Sequence, residues 1–290
     1  MSEPQFKKIV IFGVGLIGGS FALALRKANM VGEVVGFGRS AANLQQAKAL
    51  GIIERIGSDV AAEVGDSDLV LLATPVGQMA ELMARIAPHL GKNTLVTDGG
   101  STKSDVVRYA YEQLGSKVSQ FVPAHPIAGA EQSGSAAAGA DLYLGKKVVL
   151  TPLPENSPQA IARVQAAWEK CGANIHRLAH DEHDAVFAAV SHLPHLLSFA
   201  LVHDLAQRDN RDVLMSFAAS GFRDFTRIAA SSPEMWRDIC MANREALLKE
   251  LQVYIAELAL MKSALEASDA AQLEQTFRTA RELRAGWTEK

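Results

Sequence analysis

The stretch IVIFGVGLIGGS, Ile9–Ser20, decides the fold of the first half of the chain. A short apolar run precedes glycines at positions 13, 15 and 18, and an apolar helical segment follows directly. This G-x-G-x-x-G pattern uses glycine for a tight turn, for close approach of a pyrophosphate and for packing of the helix on the strand. The start of the helix offers unpaired amides and a positive dipole end to phosphates. We therefore predict dinucleotide contacts at Gly13, Gly15, Leu16, Ile17 and Gly18.

Around this stretch, β-rich and helical segments alternate as far as about residue 178. Apolar strands separated by helices indicate a parallel sheet that is covered on both faces. We assign residues 1–178 to a Rossmann-type α/β domain with a mostly parallel sheet. Its last elements are a helix at Gln159–Lys170 and a strand at Asn174–Leu178. The strands predicted before these are Ile9–Phe12, Val34–Phe37, Leu69–Ala73, Leu95–Thr97, Ser119–Val122 and Lys147–Leu150.

Beyond about Asp181 the strand signals cease, and the pattern predicts an all-helical domain over residues 179–290. Asp184–Gln207 is apolar at helical spacing and contains Pro194, which is expected to kink the helix. One long helix is predicted from Met235 to Leu265, and a final one over Ala270–Leu283. The apolar stripe of such a domain is often buried against a second subunit. We therefore expect substrate binding and dimerisation here.

Composition narrows the functional class. Apolar residues make up 48% of the 290 residues, charged residues 21%, and the formal net charge is −3. This balance gives no sign of a nucleic-acid or membrane partner, and no uncharged apolar run approaches a membrane span. Cys171 and Cys240 are too isolated for a disulfide framework or a zinc site. The first residues lack a signal peptide, so we expect a cytoplasmic protein.

The choice of cofactor depends on VVGFGRS, Val34–Ser40. A carboxylate that binds the ribose hydroxyls of NAD is expected about 20 residues after the glycine motif. Gly38, Arg39 and Ser40 stand there instead. A guanidinium fork and a hydroxyl suit a 2′-phosphate, which favours NADP. The alternative is that Arg39 is a solvated turn residue and that both NADP and NAD are accepted.

Two further segments follow predicted strands, at the edge where open α/β sheets bind ligands. ATPV, Ala73–Val76, offers Thr74 and Pro75 to the nicotinamide ribose. TDGGSTKSD, Thr97–Asp105, places Ser101 at the opening of a helix. Helix capping alone also explains a serine there.

Histidines and arginines supply the candidate chemistry. His125 lies between turn residues in PAHPIAG, and a neutral imidazole can take the proton of a hydroxyl during hydride removal. His192 and His195, three residues apart in SHLPH, share a helix face. We expect no metal site, and we interpret the group His176, His180 and His183 as a solvated junction. Of the three arginines between residues 220 and 239, ion pairs with Asp224 or Asp238 should occupy at least one, and a free guanidinium fork would bind a carboxylate.

Taken together, these motifs resemble the prephenate/arogenate (cyclohexadienyl) dehydrogenase family of tyrosine biosynthesis. The resemblance covers nearly the whole chain. It implies oxidative decarboxylation of prephenate to 4-hydroxyphenylpyruvate, or of L-arogenate to L-tyrosine, by a dimer that uses NAD(P). The segments that carry it, in family order, are VGLIGGS (14–20), DGGSTK (98–103), HPIAGAEQSG (125–134), DLYLGKKVVLTP (141–152), SHLPH (191–195) and GFRDFTRIAASSPEMWRDI (221–239).

The resemblance also implies roles for single residues. His125 corresponds to the group that deprotonates or polarises the substrate hydroxyl at C4, and Ser101 to a residue that bonds this hydroxyl and the nicotinamide region. His195 matches a contact to the substrate side chain. Arg227 matches the binder of the substrate carboxylate.

Four more positions are implied around the substrate. Glu131 and Asp224 match acidic residues that gate the arginine, and Trp236 matches a residue that reaches the partner subunit's site. Gln132 faces the substrate side chain and does not decide between the keto acid and the amino acid. Two alternatives stay open: a dehydrogenase of the 3-hydroxyacid or pyrroline type, and a non-catalytic module that binds NADP.

Overall fold

The computed structural model describes residues 5–129 and 132–287 of the chain. It has an α/β first half and a helical second half, as the sequence predicts. The strands are β1 Phe6–Phe12, β2 Val31–Phe37, β3 Arg55–Ile56, β4 Leu69–Leu72, β5 Leu95–Asp98, β6 Ala124–Pro126, β7 Lys147–Leu150 and β8 Asn174–Arg177. The helices are α1 Leu16–Lys27, α2 Ala41–Ala49, α3 Val60–Gly65, α4 Met79–Ile86, α5 Ser104–Leu114, α6 Pro158–Lys170, α7 His180–Phe187, α8 Leu193–Ala206, α9 Arg211–Ser216, α10 Ser220–Thr226, α11 Pro233–Ala242, α12 Arg244–Glu266 and α13 Ala270–Gly286.

The larger sheet is parallel throughout and has the order β3-β2-β1-β4-β5. Alternate residues of β1 pack into different cores: Ile9 and Ile11 on one face, Val10 and Phe12 on the other. Burial on both faces explains why these strands are continuously apolar. The strand order reverses between β1 and β4, and ligands of such sheets bind at this point, beyond the carboxyl ends of the strands.

A second sheet, in the order β6-β7-β8, places His125. β6 pairs antiparallel with β7, and His125 lies opposite Val149. The predicted strand at Ser119–Val122 was wrong. Residues 115–120 form a 3₁₀ helix, and of the predicted strand only Phe121 makes a single bridge, to Val96. The short β3 and α3 were not predicted.

The helical half departs from the sequence prediction at two places. A π-helical turn at Ala188–His192 connects α7 to α8, and Pro194 is the second residue of α8, directly after that turn. The predicted long helix from Met235 to Leu265 was wrong, because it is divided at the buried Asn243 into α11 and α12. The side chain of Asn243 bonds to groups of the site described below.

By its internal contacts the chain forms two compact units, residues 1–244 and 245–290. The second unit contains most of α12 and all of α13, and α12 exposes Val253, Leu260 and Leu265 by about two thirds of their surface (67%, 64% and 65%). The predicted domain boundary between residues 178 and 179 is a division by function and stays a prediction.

One helical stretch, His180–Ala206, is long and apolar enough to cross a membrane, contrary to the expectation that no segment approaches a span. Only 28% of its most apolar window is buried. Length and composition are weak evidence, since core helices of soluble proteins meet the same criterion. In this protein the stretch carries His183, Asp184 and His192, whose side chains are buried and bonded to other elements.

Candidate active site

The turn after β1 has the geometry of a pyrophosphate cradle. Gly13 has φ +96°, and a Cβ there would lie 2.3 Å from the carbonyl oxygen of Ala73. A Cβ on Gly18 would lie 2.3 Å from the carbonyl oxygen of Gly13, so neither position tolerates a side chain. At Gly15 a Cβ would meet nothing within 4 Å, and no side chain caps α1. Space and unpaired helix amides therefore occur together at the position where a pyrophosphate would bind.

Thr74 adds a polar group beside this turn. Its Oγ1 is buried, and within the described residues it has no hydrogen-bond partner. Pro75 follows it and precedes a 3₁₀ helix at Val76–Gln78. A buried hydroxyl without a partner is costly unless a ligand or water satisfies it. This atom therefore fits the predicted contact of Thr74 with a cofactor ribose.

At the end of β2, the two residues predicted to bind a 2′-phosphate, Arg39 and Ser40, make different contacts. The backbone amide of Gly13 donates to the carbonyl of Phe37 at 2.8 Å, which places this end beside the glycine turn. Ser40 caps α2, since its hydroxyl accepts from the amide of Asn43 at 3.2 Å. Arg39 is 71% exposed, and its Nη1 lies 3.6 Å from Oε1 of Glu234.

A fully buried ion pair between Asp98 and Lys103 fixes the turn after β5. Asp98 also accepts the backbone amides of Gly100 and Ala124, each at 2.9 Å. The partly buried Ser101 lies within this turn, and Ala124 directly precedes His125. The pair thus holds the segments of Ser101 and His125 to one carboxylate. Because an unpaired buried charge is strongly unfavourable, both members are required.

The cofactor turn and the His125 strand meet at Gly99. A Cβ built on Gly99 would lie 3.0 Å from Cγ2 of Ile17 and 3.8 Å from Pro126. Ile17 begins the helix that follows the glycine turn, and Pro126 adjoins His125. The base and the predicted cofactor cradle are therefore neighbours.

His125 is the first member of a buried chain of hydrogen bonds. Its Nδ1 lies 2.8 Å from Nε2 of His183, whose Nδ1 lies 2.8 Å from Oδ1 of Asp184. The two oxygens of Asp184 also accept the backbone amides of Lys103 and Ser104, each at 2.8 Å. His183 was expected in a solvated junction, and this was wrong: its side chain is 0% exposed.

This chain determines which ring nitrogens carry protons. The carboxylate of Asp184 only accepts, so Nδ1 of His183 donates to it and Nε2 of His183 is left as an acceptor. Nδ1 of His125 then donates to His183, and Nε2 of His125 is left with a free lone pair. The arrangement prepares His125 to act as a base through Nε2.

Burial, together with the charges around it, keeps His125 neutral. Burial lowers its pKa well below 6.5, and His183, Lys103 and His192 lower it further. Burial also lowers the pKa of His183 more than Asp184 raises it. Burial would raise the pKa of Asp184, but hydrogen bonds from His183, Ser104 and Lys103 outweigh it and leave this pKa lowered. The neutral imidazole of His125 is thus connected, through His183, to the ionised carboxylate of Asp184.

His192 and His195 pack around Trp236. The ring of His195 stacks on that of Trp236 with centroids 3.6 Å apart, and its Nδ1 donates to the carbonyl of Ser191 at 2.8 Å. Asn243 donates from Nδ2 to Nδ1 of His192 at 3.0 Å and to the carbonyl of Asp184 at 2.7 Å. The resemblance places Trp236 toward a partner's site, whereas here it contacts His195 of its own chain.

Acid should destabilise the fold through His192. Burial lowers its pKa to about 4, below the 6.5 of the unfolded chain, so the unfolded state takes up a proton first. The stability is complete above pH 6.5 and is lost as the pH falls towards 4. We expect this residue to cost about 2 kcal/mol of unfolding free energy between pH 7.5 and pH 5. Urea unfolding at both pH values measures it, and an equal pH dependence in His192→Gln would contradict this origin.

The predicted carboxylate binder, Arg227, lies in a 3₁₀ helix at Arg227–Ala230. It lines an apolar cavity of about 350 Å³ with Met215, Phe222 and Arg223. Its charge is one of the causes that lower the pKa of His195, after burial, so the two side chains are neighbours.

The remaining predicted positions are placed as follows. Asp224 is exposed and pairs with Arg223 at 3.5 Å, and Arg237 pairs with Asp238 at 2.7 Å, so the expected ion pairs form at Arg223 and Arg237. Gln132 is exposed, and Glu131 lies outside the described residues. In the described ranges no group of three or more His, Cys, Asp or Glu side chains could hold a metal.

Sequence reasoning missed three members of this site. Asp184 and Asn243 were not singled out, and His183 was assigned to another group. No spacing rule identifies them, because they contact His125 and His192 across 58 and 51 residues of chain. The only local signal is a histidine next to an aspartate at the start of an apolar helix.

Comparison with known proteins identifies the family. The family model "Prephenate dehydrogenase, nucleotide-binding domain" matches residues 21–177, and "Prephenate dehydrogenase, dimerization domain" matches residues 179–279. A cyclohexadienyl dehydrogenase of Zymomonas mobilis is 35% identical over 281 residues, which cover 96% of this chain and 95% of that protein. A prephenate dehydrogenase of Bacillus subtilis is 37% identical over 96% of this chain and 75% of its own.

Among solved structures, the prephenate dehydrogenase of Aquifex aeolicus, in complex with hydroxyphenyl propionate and NAD⁺, superimposes with a TM-score of 0.89. It is 34% identical and covers 96% of this chain and 97% of that one. The chain matches both family models and a relative of similar length, and the protein therefore belongs to the prephenate dehydrogenase family.

Proposed function

We propose that the protein is an NADP-preferring dehydrogenase that oxidatively decarboxylates prephenate and/or L-arogenate in tyrosine biosynthesis. The observation that carries this proposal is the Asp184–His183–His125 chain beside the glycine turn. A neutral histidine with a free Nε2 suits removal of a hydroxyl proton while a hydride leaves the same carbon. Relatives named for prephenate, cyclohexadienyl and arogenate substrates support this choice of substrate class.

The reaction needs one base and one hydride acceptor. A nicotinamide cofactor, held at the glycine turn and beside Thr74, would supply the acceptor for the hydride of C4. His125 receives the proton of the C4 hydroxyl as that oxygen becomes a carbonyl. The bond from the ring to its carboxylate then breaks and carbon dioxide leaves. Its electrons pass through the ring to the C4 oxygen, which takes up a proton again to give the phenol. The aromatic product, 4-hydroxyphenylpyruvate or L-tyrosine, makes the step strongly favourable.

The other predicted residues bind and orient the substrate in this proposal. Ser101 bonds the C4 hydroxyl, from the turn that the Asp98–Lys103 pair holds in place. Arg227 binds a substrate carboxylate by its guanidinium fork. His195 contacts the substrate side chain. Further positions proposed near the substrate, on the resemblance alone, are Glu131, Gln132, Asp224 and Trp236.

Steady-state assays with prephenate and arogenate, each with NADP and NAD, test the proposed activity. We expect turnover of at least one substrate and a higher kcat/KM with NADP. An enzyme that is folded by circular dichroism and turns over neither substrate with either cofactor would refute the activity. Equal kcat/KM for both cofactors would refute the NADP preference alone.

Arg39 is the group to which we attribute this preference, since Ser40 is engaged in capping α2. Arg39→Ala should weaken NADPH binding about tenfold and leave NADH binding nearly unchanged, because only NADPH presents a phosphate to the guanidinium. Fluorescence titration with both reduced cofactors measures the two dissociation constants. If both change equally, Arg39 does not recognise the 2′-phosphate.

We also propose a cytoplasmic homodimer that assembles through the helical half. The match of residues 179–279 to a dimerization domain supports this, as do the exposed apolar side chains of α12. The proposed partners are the second subunit and small molecules, with neither nucleic acid nor membrane.

A further inference from the structure

Glu234 brings a carboxylate from the helical half to the end of β2. Its Oε1 lies 3.6 Å from Nη1 of Arg39, and the two side chains are 51% and 71% exposed. Glu234 belongs to the first turn of α11, which Ser232 caps through the amide of Met235. The guanidinium of Arg39 is therefore paired with the carboxylate of Glu234, which lies almost 200 positions later in the chain.

The Arg39–Glu234 pair lies near the predicted cofactor cradle, because the end of β2 is bonded to the glycine turn. β2 ends at Phe37, whose carbonyl accepts from Gly13 in the glycine turn at 2.8 Å. A Cβ on Gly38 would meet only the side chain of Leu44, at 3.5 Å, which is an ordinary contact. Space therefore does not exclude a carboxylate at position 38. The chain has none there, and the nearby carboxylate comes from α11 instead.

The helix that carries Glu234, α11, is anchored by buried residues at Trp236, Ile239 and Asn243. Trp236 stacks on His195, and Asn243, just after the helix, bonds to His192 and to the backbone of Asp184. Asp238 adjoins Gly77, where a Cβ would lie 3.1 Å from its Oδ2. The same helix thus contacts the segment after β4, the substrate-side histidines and Arg39.

We propose that Glu234 is a cofactor-selecting residue that limits the preference for NADP. This rests on the proposed binding of a 2′-phosphate by Arg39. A 2′-phosphate must displace the Glu234 carboxylate from the guanidinium and lies close to its negative charge. A ribose with a free 2′-hydroxyl requires neither change. Glu234 therefore weakens binding of NADP relative to NAD and keeps NAD usable by the enzyme.

Fragments of the two cofactors isolate this effect. Calorimetric titration should show that Glu234→Gln binds 2′,5′-ADP about two- to fivefold more tightly, the range for an exposed ion pair, and 5′-AMP as before. The ratio of the NADPH affinity to the NADH affinity should rise by the same factor. Glu112→Gln is the matched control: it removes the same charge from an exposed pair with Arg108 and should alter neither affinity.

Variants of Arg39 separate this inference from the proposed function. In an Arg39→Ala background, Glu234→Gln should lose most of its effect on the ratio of the two affinities, since the pair no longer exists. If Arg39→Ala lowers 2′,5′-ADP affinity but Glu234→Gln leaves the ratio unchanged, the inference is overturned and the proposed role of Arg39 stands. If Arg39→Ala also leaves the ratio unchanged, both fail.

Discussion

Replacement of His125 by alanine is expected to lower kcat at least about 10²-fold, the usual scale for removal of a general base. The lone pair of Nε2 is the only acceptor that the Asp184–His183 chain prepares, and without it the hydroxyl proton has no fixed destination. Cofactor affinity should stay nearly constant, because the glycine turn and Arg39 lie on other segments. Steady-state kinetics and NADPH titration measure the two quantities.

A control and a pH profile make this prediction specific. His89→Ala changes an exposed histidine and should keep native kcat. In the native enzyme, kcat should not fall as the pH passes 6.5, because burial holds the pKa of His125 well below that value and the base stays unprotonated. Its acidic limb should appear only at lower pH. A kcat within a few fold of native in His125→Ala would remove this residue from the role of base.

The second large effect is expected at Asp184, which touches neither substrate nor cofactor in this account and acts as a positioning residue. In Asp184→Asn the new amide would present N–H to His183 Nδ1 or to a backbone amide, so donors would face donors. If His183 responds by carrying its proton on Nε2, His125 Nδ1 becomes an acceptor and its Nε2 becomes protonated. We expect kcat to fall about 10²-fold, as when the base itself is lost.

Two controls separate positioning from loss of the fold. Asp181→Asn alters an exposed aspartate on the same helix and should leave kcat unchanged. The double variant with His125→Ala should be hardly slower than His125→Ala alone, since both changes disable one unit. A folded Asp184→Asn enzyme that binds NADPH and keeps native kcat would show that the hydrogen-bond chain does not control the base.

The α/β half could be predicted because its determinants are local. Apolar strands such as Val34–Phe37 are buried on both faces, Gly13 has a positive φ, and Gly18 packs against the carbonyl of Gly13 in the same turn. The strand at 119–122 was misplaced because apolar residues there pack into the core with a single bridge to Val96, while the actual strand contains a histidine and a proline. The break at Asn243 escaped the helical pattern because its cause is a tertiary hydrogen bond to His192.

The candidate site was predicted only in part, because only some of its residues lie in local sequence motifs. His125 and His195 lie in motifs that can be recognised in the sequence. The structure buries His125 against His183 and stacks the partly buried His195 on Trp236. His183 and Asp184 become significant only when α7 packs on the start of α5, where Asp184 accepts two backbone amides. Glu234 likewise has no cofactor-related pattern, and only folding brings it to Arg39.

The most direct test of the proposed base is the protonation of its ring nitrogens. Nitrogen-15 NMR of histidine-labelled protein at neutral pH, with His125→Gln used to assign the signals, distinguishes protonated from unprotonated imidazole nitrogens. The account predicts that His125 in the native protein carries its proton on Nδ1 and has an unprotonated Nε2, and that Asp184→Asn reverses this. A native His125 protonated on Nε2 would contradict it.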